Sequence, residues 1–570
     1  MRHAMVVLGL CAGGSALGAQ GAGRFVPCQG QRIDSITVDA QAPTVAGLRR
    51  VPVIGNVVRE THVVTRDDVV RRFLLIEVGE PCSELRRAES ERILRAQSFI
   101  ADATIEVIAN AKGGVNLEVR TIDEASLIFT GAVAGASPAI RAVKVGSANL
   151  AGMGVATSFA WGYQPVLDDR LEVRASDYQF LGQPYVLSLG LVRDPLGRDD
   201  RAELSFPFRT DLQRYAWRTR IGKSEGTAQF VMRDTGRLTL GYTEEYGEVG
   251  AIGRLGPPGK LSLVGLSITS ERSWPDSAPL RLVEKAGFRP DTAAEFAGRF
   301  VETRAARMNA LLGVRKIRFM RARAFDALRA TQDVPIGLQF GTLVGRGVRA
   351  FGSDSRDLFV ASDLYMGWGS PVVAYRLQLQ GEGIRPEGGL DWNGMVASGR
   401  LARYSRPTST RTRIVSLEWS GTAGVLLPHA LTLGIPDGGI RGFNKSSEVG
   451  GRRGIARIDE RYFLGSPNSF GDLGVAWFAD AGKLWAGDVP YGTTTRVRGS
   501  LGISALFAVP MRSTRTWRLD FAVPVHREPG AAKWQVRLSN TDRTTFFWRE
   551  PTDVDAARAR AVPASIYNWP

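Results

Sequence analysis

Beyond Glu124 the chain alternates between apolar and polar positions in segments about ten residues long, which Gly, Asp, Asn or Pro separates. Examples are Leu171 to Tyr178, Tyr185 to Val192, Leu238 to Tyr242, Leu358 to Tyr365, Ala374 to Gln380 and Val415 to Trp419. A membrane-crossing β-strand needs about 9–11 residues and shows such alternation rather than a solid apolar run. In lipid every backbone amide must be paired, so these strands predict a closed, transmembrane antiparallel β-barrel.

The residues before Glu124 predict a small α/β domain that covers residues 23–123. Its elements follow in the order strand, helix, helix, strand, strand: Ile36 to Ala40, a short helix after Thr65-Arg66-Asp67-Asp68, Ser83 to about Phe99, Ala103 to Val107 and Val115 to Val119. In the tetrapeptide, a hydroxyl residue precedes a carboxylate by three positions, which is the capping-box pattern of a helix start.

Residues 1–22 have the pattern of a secretory signal peptide, with a disordered start as the alternative. Their apolar run, Ala4 to Ala12, is far shorter than the roughly 20 residues of a membrane-spanning helix. Removal of this segment takes Cys11 away and leaves Cys28 and Cys82. In an oxidising compartment such as the periplasm these two could form one disulfide; two buried free thiols are the other reading.

Charge and motifs argue against nucleic-acid binding and against catalysis. The formal net charge of +16 is spread along the chain and forms no basic stripe interleaved with aromatic residues. His62, His429 and His526 are widely spaced, and no His/Cys metal cluster, nucleophile elbow or phosphate loop accompanies them. We therefore expect no enzyme, no cofactor and no metal site.

A glycine-dense loop, Ile435 to Arg453, interrupts the strand series and carries four basic side chains. Glycines flank Arg441 and permit close approach of the backbone: Gly438, Gly439 and Gly442. Some forty residues later, Phe478, Asp480 and Gly482 share one face of a predicted strand. Asp480 could supply a carboxylate for Arg441; the alternative is a solvated loop and an unrelated strand end.

The predicted α/β domain resembles a POTRA domain, the periplasmic module of the BamA/TamA outer-membrane assembly and transport superfamily. The residues that carry this resemblance are Gly79-Glu80-Pro81, Glu91 to Arg95, Phe99 to Ala103 and Gly113 to Val119. Ile54-Gly55-Asn56 also resembles the glycine-asparagine turn of that module.

The loop and the later strand resemble two further motifs of the superfamily. Ile440-Arg441-Gly442-Phe443 is similar to its Val-Arg-Gly-Phe/Tyr motif, at the tip of a sixth extracellular loop that folds into the barrel lumen. Phe478-x-Asp480-x-Gly482 resembles its Phe-x-Asp-x-Gly motif on the inner barrel wall. The resemblance implies that Arg441 pairs with Asp480 and locks the loop.

It also implies a barrel of about 16 strands, residues 124–548, with five strands after the loop. Five segments fit: Ala456 to Leu464, Gly474 to Asp480, Val497 to Leu506, Trp517 to Val523 and Trp534 to Leu538. More candidates precede the loop than sixteen strands require, so alternation leaves the strand number open. Residues 293–326, rich in Ala and Arg, are expected to form a partly helical extracellular loop and the following strand.

The end of the chain departs from the superfamily, in which the last strand usually ends the protein. Phe546-Phe547-Trp548 resembles the aromatic end of that strand, and residues 549–570 then form a tail that is either disordered or tucked into the barrel.

Taken together, the resemblance implies an outer-membrane protein with its POTRA-like domain in the periplasm. Its partners would be outer-membrane lipids, unfolded outer-membrane or exported client proteins, and accessory lipoproteins. The client would add a strand to the sheet edge of the domain and pass through a weak seam between the first and last barrel strands. A two-partner secretion pore and a plain diffusion channel are the alternatives.

Overall fold

The computed structural model describes residues 25–43, 63–125, 127–134, 139–164, 167–194, 197–232, 236–276, 280–283, 287–290, 300–426, 429–434, 438–443, 446, 448–467, 471–527, 532–540, 548 and 550–559. The predicted signal peptide, the Ile54-Gly55-Asn56 turn and Phe546-Phe547 lie outside the described residues.

The first unit is a four-stranded sheet packed against two helices. Its elements are β1 (Gln29–Gln41), α1 (Asp67–Arg71), β2 (Pro81–Ser83), α2 (Glu84–Arg95), β3 (Ile100–Ala109) and β4 (Val115–Asp123). The strand order is β2-β1-β4-β3, with β1 parallel and β3 antiparallel to β4. The expected order of elements is present, with β2 as an addition between the helices.

The structure decides two predictions for this unit, the capping box at Thr65 and the state of the two cysteines. The capping-box prediction is wrong, because the Thr65 hydroxyl donates to Asp123 Oδ1 (2.8 Å) and α1 begins without a side-chain cap. Cys28 and Cys82 form a disulfide, and both belong to the apolar core of the domain. Of the two alternatives for these cysteines, the structure contains the bonded one.

Most of the described residues after this unit form a closed antiparallel barrel in which β28 lies next to β5. The strands before the glycine-dense loop are β5 (Leu127–Ala134), β6 (Ala139–Ser147), β7 (Val155–Gln164), β8 (Leu167–Phe180), β9 (Tyr185–Asp194), β10 (Gly197–Phe206), β11 (Tyr215–Met232), β12 (Gly236–Leu255), β13 (Leu261–Pro275), β14 (Leu280–Val283), β15 (Gly287–Pro290), β16 (Thr303–Arg323), β17 (Thr331–Gly347), β18 (Leu358–Gly369), β19 (Val373–Arg385), β20 (Asn393–Ser405) and β21 (Arg411–Ala423).

The loop carries two short strands, and five barrel strands and a helix follow it. These elements are β22 (Leu431–Thr432), β23 (Val449–Gly450), β24 (Arg452–Gly465), β25 (Asp472–Trp485), β26 (Arg498–Ala508), β27 (Trp517–Val525), β28 (Gln535–Asn540) and α3 (Thr552–Ala557). Single 3-10 turns lie at Leu150–Gly152 and Arg349–Phe351.

The expected strand number of about 16 is wrong. β14 pairs with β12, and β13 itself pairs with β16, so the short β14–β15 hairpin extends its neighbours instead of adding to the circumference. Within the described ranges twenty strands therefore run round the barrel, fifteen before the loop and five after it. The five later strands are those that alternation predicts. Of the loop and following strand expected at residues 293–326, the strand is present as Thr303–Arg323, and residues 293–299 lie outside the described residues. The helical character expected for this stretch is absent from its described part.

Side-chain burial around the barrel is inverted relative to a water-soluble protein. On β13 the outward Leu266 is 69% exposed, whereas the neighbouring inward Ser267 is 4% exposed. Inward Asn309 on β16 donates to the hydroxyls of Ser267 (3.0 Å) and Thr269 (3.2 Å). An apolar outer face around a polar, hydrogen-bonded interior is the pattern of a barrel in lipid. In the described part of the chain, no helix combines the length and the apolar composition needed to cross a membrane.

The end of the barrel nearest the α/β domain is called the proximal end here. Aromatic pairs lie near it on several strands: Tyr185 with Trp217, Phe206 with Tyr215, Trp368 with Tyr375, and Phe507 with Trp517. Tryptophan and tyrosine favour the boundary between lipid and water. The pairs indicate the level of that boundary.

The turn between β16 and β17, residues 324–330, folds across the proximal mouth and is called the hairpin tip. Phe325 packs in a cluster with Tyr404 of β20, and Leu328 packs with Ala476 and Leu506 of β25 and β26. Arg461 Nη1 on β24 donates to the backbone oxygen of Asp326 (3.0 Å). The tip therefore contacts the inner wall along several strands.

Candidate functional site: a lock in the barrel lumen

The loop reaches the inner wall because glycines leave room for it. Gly442 has a φ of 89°, and a Cβ there would lie 3.3 Å from Ser500 Cβ on the wall. A Cβ on Gly482 would lie 2.9 Å from Leu433 Cδ2 and 3.1 Å from Ile440 Cγ2. Bare backbone at Gly482 thus allows Leu433 and Ile440 to lie against β25.

Arg441 and Asp480 are brought together by two side-chain contacts and one backbone contact. Arg441 Nε donates to Asp480 Oδ2 (2.8 Å), and Nη2 donates to Oδ1 (2.5 Å). The backbone N–H of Arg441 donates to the same Oδ2 (3.0 Å). Two parallel charge-assisted bonds hold orientation as well as position. The loop is held by its backbone and its side chain at one carboxylate.

Phe478 and Gly482, the other two residues of the barrel-wall motif, line the same contact. The Arg441 guanidinium carbon lies 3.8 Å from the centre of the Phe478 ring, a cation–π arrangement. The ring itself lies over Gly502, where a Cβ would be 2.3 Å from Phe478 Cζ. Ile440 and Phe443, both almost completely buried, cluster with Ile455 of β24. Every residue of the two motifs therefore lies at this contact or beside it.

The lock contains further charged residues that the motif comparison missed. Asp459 accepts from Arg441 Nη1 (3.0 Å) and from Arg461 Nε (2.7 Å), and it pairs with Arg518 (2.6 Å). Arg457 Nη1 donates to Asp480 Oδ2 (3.0 Å). Arg457, Asp459 and Arg461 alternate along β24, so strand periodicity could have placed them on the wall that carries the lock.

Arg457 also fixes the loop backbone. Its Nη2 donates to the carbonyl oxygens of Gly438 (3.2 Å) and Gly439 (2.7 Å). Glu460, the neighbour of Asp459, lies on the opposite face of the strand and pairs with Arg411 and Arg413. The lock is thus confined to the inward face of β24.

The tail after the last strand enters the lumen and packs against the loop. Arg453 Nη2 donates to Asp553 Oδ1 (2.8 Å) and Nη1 to Oδ2 (2.5 Å), and both side chains are buried. Asp553 Oδ2 also accepts from the backbone N–H of Thr432 (3.2 Å). Val554 is fully buried in a cluster with Leu431 and other apolar residues. Of the two alternatives for residues 549–570, the described part takes the tucked one.

A second contact holds the end of the described part of the tail, near Arg558, on β19 and β20. Arg558 pairs with Glu382 (3.1 Å) and with Glu550 (2.5 Å). Glu550 also accepts a hydrogen bond from the Ser398 hydroxyl. The backbone N–H of Trp548 donates to Gln378 Oε1 (2.9 Å). Loop and tail together occupy the lumen beside the strands from β19 to β26.

The α/β domain is bound to the barrel at the hairpin that carries the tip. Arg95 Nε and Nη2 each lie 2.9 Å from a carboxylate oxygen of Asp333, and Arg321 donates to Glu91 (2.9 Å). Burial disfavours the charged form of Arg95, but Asp333 and Glu91 reverse this and raise its pKa. The domain therefore contacts the element that crosses the proximal mouth.

The open edge of β3 in this domain is covered by other groups. Arg95 Nη1 donates to Ala103 O (3.1 Å), and Arg87 Nη1 donates to Ile105 O (2.9 Å). The backbone N–H of Val26 donates to Val107 O (3.1 Å). Strand addition here would first require the release of these donors.

No family model and no curated protein matches the chain. Among solved structures it is similar to BamA from Haemophilus ducreyi lacking POTRA domains 1-3, at 12% identity and a TM-score of 0.36, over 90% of this chain and 85% of that one. It is also similar to CdiB from Escherichia coli (12% identity, TM-score 0.43, 90% and 76% of the two chains) and to CdiB from Acinetobacter baumannii (9%, 0.40, 90% and 74%). With identities of 12% or less and TM-scores below 0.5, function is inferred from the contacts of this chain.

Proposed function

We propose that the chain is an outer-membrane barrel of BamA/TamA type that inserts client polypeptides into the membrane or exports them. The α/β domain is its POTRA-like module in the periplasm, so the proximal end of the barrel is periplasmic. Outer-membrane lipids contact the apolar outer face, and accessory lipoproteins stay a prediction. The proposal involves no catalysis, cofactor or metal.

The observation that carries the proposal is a short seam in a barrel whose lumen is occupied. Within the described residues, which exclude 135–138 and 541–547, β28 has six residues and β5 has eight, whereas β16 has twenty-one. The described residues of β28 and β5 also share fewer contacts than those of any other neighbouring strands round the barrel, so this join is easier to open than the others. An unpaired strand edge at an opened seam can accept a client strand.

The contents of the lumen argue against a plain diffusion channel. The locked loop and the tail pack against the wall from β19 to β26, and the hairpin tip crosses the proximal mouth. A pore for small solutes requires none of these segments. A conduit that opens only for a client does require such a closure.

The proposal is tested by photo-crosslinking in cells from Thr104, an exposed residue of β3. Capture of unfolded barrel precursors would support insertion, and capture of a dedicated exported protein would support two-partner secretion. Outer-membrane fractionation and heat-modifiable migration on gels are measured alongside. A soluble periplasmic product, or a membrane-inserted chain that captures no polypeptide, would refute the proposal.

A further inference from the structure

A cavity of about 500 Å³ lies between the α/β domain and the proximal rim of the barrel, and we call it the arginine vestibule. β3 lines one side of it through Asp102, Ala103 and Thr104. Six arginines line it from the domain, the hairpin and the barrel turns: Arg95, Arg321, Arg323, Arg329, Arg406 and Arg512. The vestibule lies beside the hairpin that crosses the mouth.

Acidic groups in the vestibule do not balance these arginines. The only carboxylates among its described lining residues are Glu91 and Asp102, and Glu91 already pairs with Arg87, Arg95 and Arg321. Four arginines make no salt bridge with a carboxylate among the described residues: Arg323, Arg329, Arg406 and Arg512. Arg329 Nη1 donates to the Ser466 hydroxyl (3.1 Å), and the backbone N–H of Arg512, but not its side chain, donates to Asp472 Oδ2 (2.8 Å). The cavity therefore carries uncompensated positive charge.

The surroundings of Arg406 do not satisfy all the donors of its guanidinium group. Its Nε is buried without a hydrogen-bond partner, while Nη2 donates to the backbone oxygen of Ser409 (3.2 Å). Burial and then the neighbouring charge of Arg323 lower the pKa of Arg406. An anion placed between Arg323 and Arg406 would relieve the repulsion between the two guanidinium groups.

The arrangement distinguishes among anions. The four arginines without a salt bridge come from the end of β16, the hairpin tip and two separate barrel turns, so they are spread along the cavity rather than gathered at one point. Such a spread suits several carboxylates along an extended chain better than one phosphate group. The covered edge of β3 argues in addition for side-chain recognition over strand addition.

We propose that the arginine vestibule binds an acidic stretch of a client polypeptide by salt bridges from Arg323, Arg406 and their neighbours. This inference names the ligand class for the periplasmic mouth, and it rests on the proposed function for the identification of that ligand as a client. Clients rich in Asp and Glu would be held between the domain and the hairpin tip before they reach the seam.

The test uses the full chain in detergent micelles and a short fluorescent peptide in which Glu alternates with Ser. A peptide with Gln in place of each Glu is the matched ligand, and binding is followed by fluorescence anisotropy. We expect the Glu peptide to bind at least about tenfold more tightly than the Gln peptide, and higher salt to weaken the binding because ions screen exposed charges.

Variants assign the binding to the vestibule. The double change Arg323→Gln with Arg406→Gln should weaken binding of the Glu peptide by about tenfold or more. Arg403→Gln, which removes an exposed arginine three residues from Arg406 and outside the vestibule, should leave binding unchanged. Heat-modifiable migration verifies that each variant is folded, and the comparison of peptides on the wild-type chain does not depend on any variant.

Three results would overturn the inference. They are equal binding of the two peptides, wild-type affinity in the double variant, and complete displacement of the Glu peptide by inorganic phosphate or by vesicles of anionic phospholipid. The last result would assign the vestibule to phosphate groups. Because micelles allow no transport, failure of crosslinking in cells contradicts the proposed function, whereas failure of peptide binding contradicts only the ligand class.

Discussion

Single residues determine whether the loop stays in the lumen. Arg441 contacts Asp480 through three donors, and Gly482 leaves the space that Leu433 and Ile440 fill. The motif resemblance predicted that Arg441 and Asp480 would meet. Asp459 could also have been predicted, since it lies two residues from Arg457 and Arg461 on an alternating strand.

Replacing Arg441 should release the loop. Arg441→Ala leaves Asp480, whose side chain has no exposed surface, with Arg457 as its remaining side-chain partner. Breaking a buried ion pair costs on the order of 3–5 kcal/mol, and the retained Arg457 contact should bring the cost below that range. In planar bilayers we expect larger and more frequent conductance steps from Arg441→Ala than from the wild type. Arg452→Ala, which removes an exposed arginine, is the control, and indistinguishable traces from the two variants would argue against the lock.

Adding one methyl group at Gly482 should loosen the same loop by crowding it. In Gly482→Ala the new Cβ would meet Leu433 and Ile440, and overpacking of this kind costs about 1–3 kcal/mol. Trypsin should then cleave after Arg441 faster than in the wild type. Gly381→Ala on β19 is the control because its Cβ would meet nothing within 4 Å. Equal cleavage of both variants would contradict the packing account.

At the scale of elements, the strands after the loop were predictable and the total was not. Each of the five later segments alternates cleanly between clear turns, and all five are present. The total of sixteen came from resemblance, although alternation already supplied more candidates before the loop. The position of the tail was also not predictable from local patterns. Arg453 and Asp553 are a hundred positions apart, and no local pattern in the sequence indicates that they are in contact.

The tail should act as a second closure of the lumen. Asp553→Asn removes the charge that pairs with the buried Arg453, at a cost on the order of 3–5 kcal/mol for a fully buried pair. We expect faster proteolysis of the tail and higher basal conductance than in the wild type. Asp555→Asn removes an exposed charge from the same helix and should change neither property. Equal resistance of the tail to proteolysis in the wild type and both variants would show that the pair of Arg453 and Asp553 does not hold it.

In the molecule as a whole, three segments and one domain close the lumen of a single barrel. The domain pairs with the hairpin through Arg95 and Asp333, the hairpin tip crosses the proximal mouth, and loop and tail occupy the lumen. Among the described residues, the seam between β28 and β5 is the join between neighbouring barrel strands with the fewest contacts. In the function we propose, a client that reaches the membrane by this route meets the seam.

Crosslinking from the seam in cells shows whether clients pass between β28 and β5. In one variant a photo-reactive residue replaces Leu538, whose cross-strand neighbour Leu519 lies exposed on the outer face. In a second variant the photo-reactive residue replaces Leu266, an outward position on β13. We predict that Leu538 captures a client polypeptide while Leu266 captures lipid alone. Capture of lipid alone at both positions, in a chain that is assembled in the outer membrane, would contradict passage of clients through the seam.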